Sequence, residues 1–282
     1  MPARTGPCGR WGVVIPFYNE EDFIAPTLAS ITSQTRAPDQ IVLVDNGSTD
    51  GSRAVIAAFM HDRPNVAIEI LDERTPGKAS ALKRGLAAID TEFVATCDAD
   101  TIYPPNYLAV ADALFEESGE ATAAVLAFGV GDDASLASRF ARFKGIIAAR
   151  LMPSQAHSGG YGQSFRASAL KAVGGFDPVI WPFCLMDHEV IHRIAGKGGL
   201  KYSYRHWCAP SPRRGDRRRV RWTLGERLLY HVTPRNLRDW LFYSFLWQRF
   251  QARRVSELNL REKSWGAAQA ARRAAASRAK EA

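Results

Sequence analysis

The sequence predicts an α/β protein. An open, mostly parallel sheet is flanked by helices and continued at the C-terminal end by a basic, amphipathic helical extension. Two observations predict the sheet. Short apolar runs rich in Val and Ile recur through the first 130 residues, and apolar residues at helical spacing fill the gaps between them. Such alternation places parallel strands side by side, with right-handed helical crossovers on both faces. The third observation is charge. Residues 213–282 hold 18 Lys and Arg against 6 Asp and Glu, a balance of +12, whereas residues 1–212 stand at −4. This shift sets the expected boundary between a main domain, 1–212, and an extension, 213–282.

The elements follow in order. The run WGVVIP is a short β-branched strand closed by Pro16. Phe23, Thr27, Leu28 and Ile31 share one face of a helix. QIVLVD is a second buried strand, stopped by the turn NGSTDGS. Helix is expected over Gly51 to His61, strand over Val66 to Leu71, and helix again from Gly77 to about Ala88. EFVATCDAD is a fourth strand that ends in acids. Pro104 and Pro105 open a helix running to about Glu117, and TAAVLAF is a fifth strand. From Asp132 the rhythm breaks into a helix over Leu136 to Leu151, the glycine-rich HSGGYGQSF, and a helix near Asp187 to Ala195. Residues 235–254 carry Trp240, Leu241, Phe242, Phe245, Leu246, Trp247 and Phe250 edged by arginines. That pattern suits a helix lying in a bilayer interface, and equally one packed on protein; the arginines favour the bilayer.

Composition narrows the class. With 282 residues, 46% of them hydrophobic, the chain can bury a sizeable core. Its four cysteines form no CxxC pair and fit no zinc spacing, which points to reduced, buried thiols. The N-terminal residues lack a secretory apolar region, and no stretch reaches the length of a membrane span. A cytoplasmic location, peripheral to the membrane, is the resulting expectation. The arginine run Arg213 to Arg221 has no nucleic-acid motif beside it, so no nucleic-acid partner is expected.

Ligands of open α/β sheets sit beyond the carboxyl ends of the strands. Asp45 ends the second strand, and Asp98 and Asp100 end the fourth. Two carboxylates one residue apart supply hard oxygen ligands for Mg2+ or Mn2+ and leave positions for phosphate oxygens. Each could equally cap the following helix. Asp187 opens a helix, where the positive end of the helix dipole favours its charge. In HSGGYGQSF the glycines allow close backbone approach, and Gly160, Gly162, Gln163 and Arg166 are candidate contacts. His206 is a candidate third metal ligand or a packed residue; His157 and His188 are weaker candidates.

Taken together and in order, VVIPFYNEEDFI, IVLVDNGSTDGS, CDADT and LMDHEVIHR resemble family 2 glycosyltransferases of the GT-A fold. The resemblance implies that Pro16, Tyr18 and Glu20 line a nucleotide pocket. It implies that Asp45 bonds the base or ribose and that Lys78 flanks the nucleotide. Asp98 then stands nearest the ribose and metal, Asp100 is the direct metal ligand, and Asp187 is the catalytic base. Met186 and Glu189 stand where the family usually has Glu and Asp. RRVRW, Arg218 to Trp222, is similar to the RxxRW motif of the membrane-linked branch. Arg221 would meet the donor diphosphate through its guanidinium fork, and Trp222 would offer an indole face to a sugar. The implied activity is inverting transfer of a hexose-type sugar from a nucleoside diphosphate donor, UDP being the family expectation. The acceptor would be a lipid or lipid-linked molecule at the cytosolic face of an anionic membrane. Two alternatives stay open: the same fold with a soluble saccharide or protein acceptor, and a non-enzymatic basic scaffold.

Overall fold

In the computed structural model, residues 9–131, 135–157, 159–211, 222–256 and 258 are described. Four apolar residues, Trp11, Val13, Val14 and Ile15, interrupted only by Gly12, make β1 (Gly9–Phe17) a strand buried on both faces. α1 (Ile24–Thr32) follows, burying the Ile24, Thr27, Leu28 and Ile31 face. Next come β2 (Gln40–Asp45), α2 (Ser52–His61), β3 (Ile68–Asp72), α3 (Lys78–Ala88) and β4 (Thr91–Thr96). β1 pairs in parallel with β2 on one side and β4 on the other, and β2 pairs with β3. α3 lies tight on this sheet because Gly85 has no Cβ; one there would stand 2.5 Å from Val14 and 2.8 Å from Val44.

β5 (Thr101–Ile102), α4 (Tyr107–Ser118), β6 (Thr122–Leu126) and β7 (Phe128–Gly129) precede α5 (Leu136–Leu151), which spans the residues its periodicity predicts. β8 (Gln163–Arg166), α6 (Ala167–Ala172), α7 (Met186–Ile194), β9 (Gly199–Lys201) and β10 (Trp207–Pro210) complete the αβ body. The main sheet has seven strands in the order β3-β2-β1-β4-β8-β6-β9. It is mainly parallel, as expected, with β8 antiparallel to both β4 and β6. A small sheet of β5, β10 and β7 caps one end.

The extension is helical: α8 (Leu224–Val232), α9 (Arg238–Trp240), a π-helical turn over Leu241–Leu246 and α10 (Trp247–Arg253). Thr223 caps α8 in a box with Glu226. One expectation needs correction here: residues 235–254 do not present their apolar load to a bilayer. Leu241, Phe242, Leu246 and Phe250 are fully buried with Trp181, Phe183 and Tyr230 in a separate core cluster. Trp181 meets Phe242 at 5.5 Å and Phe250 at 6.0 Å between ring centroids. An apolar stripe buries itself wherever a matching surface is in reach, and the aromatic segment ahead of α7 provides it. Of this stretch Leu237, Trp240 and Tyr243 are the large apolar side chains left exposed.

Candidate active site

β1, β2 and β4 end side by side, and their loops are laced together. The Asn19 backbone, in the left-handed region at φ 55°, donates its N–H to Ser48 Oγ at 3.1 Å. Asn19 Oδ1 accepts the Thr49 N–H at 2.8 Å, and Ser52 Oγ accepts the Glu20 N–H at 2.7 Å. Pro16 is buried at the end of β1, with Tyr18 and Glu20 half-buried in the loop beyond it. Asp45 is buried and accepts the Ser48 N–H at 2.8 Å while pairing with Arg53. Burial raises its pKa, but the Ser48 N–H and the Arg53 guanidinium outweigh that and hold it below the usual carboxylate range. Arg53 also pairs with Asp72 at the end of β3. Sequence reasoning passed over this arginine, since nothing in the turn marks α2's second residue as the one that folds back.

Asn46 is a second residue the sequence reading used only as part of a turn. Its amide donates to the Glu73 and Thr75 carbonyls, and its oxygen accepts the Gly77 N–H at 2.7 Å. Gly77, at φ 128°, turns the chain into α3, so that Lys78 reaches Asp98 and pairs with it. The Asp98 N–H donates to the Tyr103 hydroxyl at 2.9 Å, which donates onward to the Tyr161 carbonyl at 2.8 Å. Asp100 lies two residues on and faces a cavity of about 280 Å³, shared with Phe23, Thr27, Ile102, Pro210 and Ser211. The carboxylate oxygens of Asp98 and Asp100 are a hard donor set, and Asp100 faces open space, which fits Mg2+ or Mn2+.

Asp187 arrives from the far side. Leu185, left-handed at φ 66°, opens α7. β8 sets the helix in place because the Gln163 amide donates to the Asp187 carbonyl at 3.2 Å. Gly160 is the meeting point: a Cβ there would stand 3.2 Å from Asp187 Cβ and 3.4 Å from Lys78 Nζ. Lys78, Asp98 and Asp187 thus converge around one glycine. Burial pushes the Asp187 carboxyl up, yet His188, His157, Lys78 and the His188 N–H bring it below the usual range, so it is ionised at neutral pH. Burial lowers the pKa of His157 and of His188 as well.

The extension braces this helix. Asp239 pairs with His192 at 2.7 Å, and the Tyr243 hydroxyl donates to Glu189, which Arg193 also holds at 2.6 Å. Trp222 packs against His188 and Tyr230, with centroids 5.6 and 5.0 Å apart. Arg221 and the rest of the arginine run lie outside the described residues, as does Cys8. The described chain leaves at Ser211, whose N–H donates to the Asp100 carbonyl at 2.9 Å, and returns at Trp222 beside His188. Arg166 packs over Phe93 and donates to the Gly119 carbonyl at 2.8 Å, a structural post. His206 is fully buried, stacked on Tyr107 at 4.5 Å, with its pKa lowered to about 3 by burial. It is the packed residue rather than a ligand. Cys97, Cys184 and Cys208 are buried, as expected.

The chain is similar to known proteins in sequence and in fold. The family model described as glycosyl transferase family 2 matches residues 12–174. An undecaprenyl-phosphate 4-deoxy-4-formamido-L-arabinose transferase of Serratia proteamaculans (strain 568) is 34% identical over 107 residues, 37% of this chain and 33% of the relative. An uncharacterized glycosyltransferase of Nostoc sp. (strain PCC 7120) is 35% identical over 96 residues, 34% of this chain and 30% of the relative. The matches thus span about a third of these curated relatives' length. Among solved structures, a mannosyltransferase of Pyrobaculum calidifontis in complex with GDP-Man and Mn2+ has a TM-score of 0.61 at 25% identity, over 74% of this chain and 60% of that one. TarS of S. aureus, residues 1–349, shares the fold with a TM-score of 0.56 at 17% identity, over 86% of this chain and 72% of that one.

Proposed function

Since the chain belongs to glycosyl transferase family 2, we propose that it is a metal-dependent enzyme acting by inversion on a nucleoside diphosphate sugar. Its acceptor is a lipid or lipid-linked molecule met at the inner face of the cytoplasmic membrane. The convergence of Lys78, Asp98 and Asp187 around Gly160, with Asp100 on the adjoining cavity, carries this reading.

The roles follow from placement. The loops after β1 and β2, with Pro16, Tyr18, Glu20 and Asp45, floor the nucleotide pocket. Asp98 and Asp100 would hold Mg2+ or Mn2+, which would supply positive charge against the diphosphate leaving group. Lys78 adds a second cation at the same edge. Asp187, ionised and positioned by Gln163, accepts the proton of an attacking hydroxyl. A phosphate acceptor needs no such base, since its second ionisation lies near pH 6. Arg221 lies outside the described residues, and its guanidinium fork suits diphosphate oxygens. Trp222 suits a sugar face at the acceptor end.

The lipid acceptor is supported by the undecaprenyl-phosphate transferase among the relatives and by two exposed helix faces. Leu136, Phe140, Phe143, Ile147 and Leu151 recur at helical spacing along α5, all exposed. Leu224, Leu228 and Val232 do the same on α8. The two helices meet where the Gln155 amide, just past α5, donates to the Tyr230 and His231 carbonyls. α5 contains no acid and carries exposed Arg139, Lys144 and Arg150, which complements anionic headgroups. Among the described residues no helix is long and apolar enough to cross a membrane.

A screen of UDP- and GDP-sugars for hydrolysis dependent on Mg2+ or Mn2+ tests the donor half; the mannosyltransferase neighbour, solved with GDP-Man, makes both bases worth including. Asp100→Asn should abolish that hydrolysis and the transfer with it. Unchanged turnover in the variant refutes the mechanism.

A further inference from the structure

Beside the proposed base lie two histidines to which the transfer reaction assigns no role. His157, Asp187 and His188 turn one ligand atom each toward a common point, all within 4.8 Å of one another. The two imidazoles pack at 4.2 Å between centroids. His157 is 6% exposed, and neither of its ring nitrogens has a hydrogen-bond partner. A buried imidazole with two idle nitrogens is costly, roughly 1–3 kcal/mol for each group left unsatisfied. Buried polar atoms in this state call for an explanation.

His188 shows what the explanation is. Its Nδ1 lies 3.0 Å from the Tyr230 hydroxyl, and that hydroxyl donates to the Ser154 carbonyl at 3.1 Å. The only hydroxyl hydrogen is therefore spent, so Nδ1 must carry the ring proton and donate it to the Tyr230 oxygen. Nε2 is left as a lone pair. An imidazole fixed on one nitrogen by an outer hydrogen bond, with the other bare, is the arrangement of a metal-ligating histidine.

We propose that His157, Asp187 and His188 form a site for a borderline divalent transition cation of the Zn2+ class, separate from the Asp98–Asp100 pair. Two nitrogens and one carboxylate leave a fourth position open, as three-ligand zinc sites do. The same donors disfavour Mg2+ and Ca2+, which take all-oxygen shells. Two nearby cations restrain affinity: Lys78, paired with Asp98, and Arg238, held over the Tyr230 ring at 5.3 Å. The functional consequence rests on the reading of Asp187 as base. An ion here takes up the carboxylate that would accept the proton, so Zn2+ opposes turnover while Mg2+ or Mn2+ at the donor acids supports it.

The test is titration of the full chain with Co2+ as a spectroscopic probe and with Zn2+ by calorimetry. The expected result is one ion per chain with the intense visible bands of four-coordinate Co2+. These persist in Asp100→Asn and vanish in His157→Gln and in His188→Gln, the latter only partly buried and so the safer variant for folding. Tyr230→Phe, lacking the outer hydrogen bond, should weaken binding by about 10–100-fold. Circular dichroism confirms that each variant is folded. No Co2+ bands, or bands that survive His188→Gln, overturn the site, as does their loss in Asp100→Asn. Bands without any loss of hydrolysis in Asp100→Asn would instead leave the metal site standing and remove the proposed reaction.

Discussion

If α5 lies on a bilayer, its two phenylalanines should carry much of the attachment. Phe140 and Phe143 are 60% and 57% exposed. A phenylalanine side chain has roughly 200 Å² to bury, so each keeps roughly 120 Å² in contact with water. At about 25 cal/mol per Å², complete withdrawal is worth about 3 kcal/mol for each ring. An interfacial helix sinks only its lower face into the headgroup boundary, and half immersion gives about 1.5 kcal/mol per ring. Replacing both by serine should therefore weaken vesicle binding by about 3 kcal/mol, on the order of 100-fold. Flotation with vesicles rich in anionic lipid reads this directly. Neither ring supports the core, so the thermal midpoint should barely move. Salt should weaken wild-type binding as well, since each Lys or Arg at the surface adds about 1 kcal/mol. The reasoning is refuted if the wild-type chain ignores anionic vesicles, or if the double variant floats with it; a soluble acceptor then becomes the better reading.

Three further outcomes are expected. Asp187→Asn should lower transfer to a hydroxyl acceptor by about 10²–10⁴-fold, and far less to a phosphate acceptor; equal losses in a paired kinetic assay would remove its role as base. Phe250→Ala, at a fully buried position, should cost about 3–5 kcal/mol in denaturant unfolding, and a cost below about 1 kcal/mol would show that the extension is not part of the folded unit. Glu226 is buried, which raises its pKa, but Arg249, the Thr223 N–H and Arg253 outweigh burial and hold it low. Its stabilising contribution is thus complete above its unfolded pKa, about 4.3, and is lost as pH falls through the lower folded value. Thermal midpoints of Glu226→Gln should lie below wild type at neutral pH and converge with it in acid; a gap that widens in acid contradicts this.

Much of the donor half is legible in the residues. QIVLVD becomes β2 without a shift of either end, and Leu136–Leu151 becomes α5 in the same way. α5 is long and strongly periodic, and β2 is a continuous apolar run bounded by turn signals, the two patterns that read most directly. β8 hides in a glycine-rich stretch because four residues, Gln163–Arg166, are too few to show alternation. The extension was misplaced for a different reason: apolar residues edged by arginine look the same whether they meet lipid or protein. Their partners, Trp181 and Phe183, sit in an aperiodic Pro- and Gly-containing segment that gives no hint of a surface. At the site, motif order singled out Asp98, Asp100 and Asp187. The pairings of Lys78 with Asp98 and Arg53 with Asp45 depend on loops whose approach no local pattern encodes. His157 and His188 rank below His206 in the sequence because a histidine becomes meaningful only beside its neighbours.

β8 has one consequence that concerns time rather than geometry. The strands β1 to β4 all precede residue 97, so this half of the sheet can form as the chain emerges, although β4 itself pairs with β1 across about 80 residues. β8 must find β4 across about 70 residues, pairing Arg166 with Phe93 and Gln163 with Thr96. Contacts of such separation form late, since loop closure is charged before they reward it. Until β8 docks, Gln163 cannot hold α7, and Asp187 has no fixed place. A nascent or locally opened chain therefore holds the acids of the donor pocket before it holds the group that completes transfer. The strand that carries Gln163 thus decides whether a bound sugar has anywhere to go.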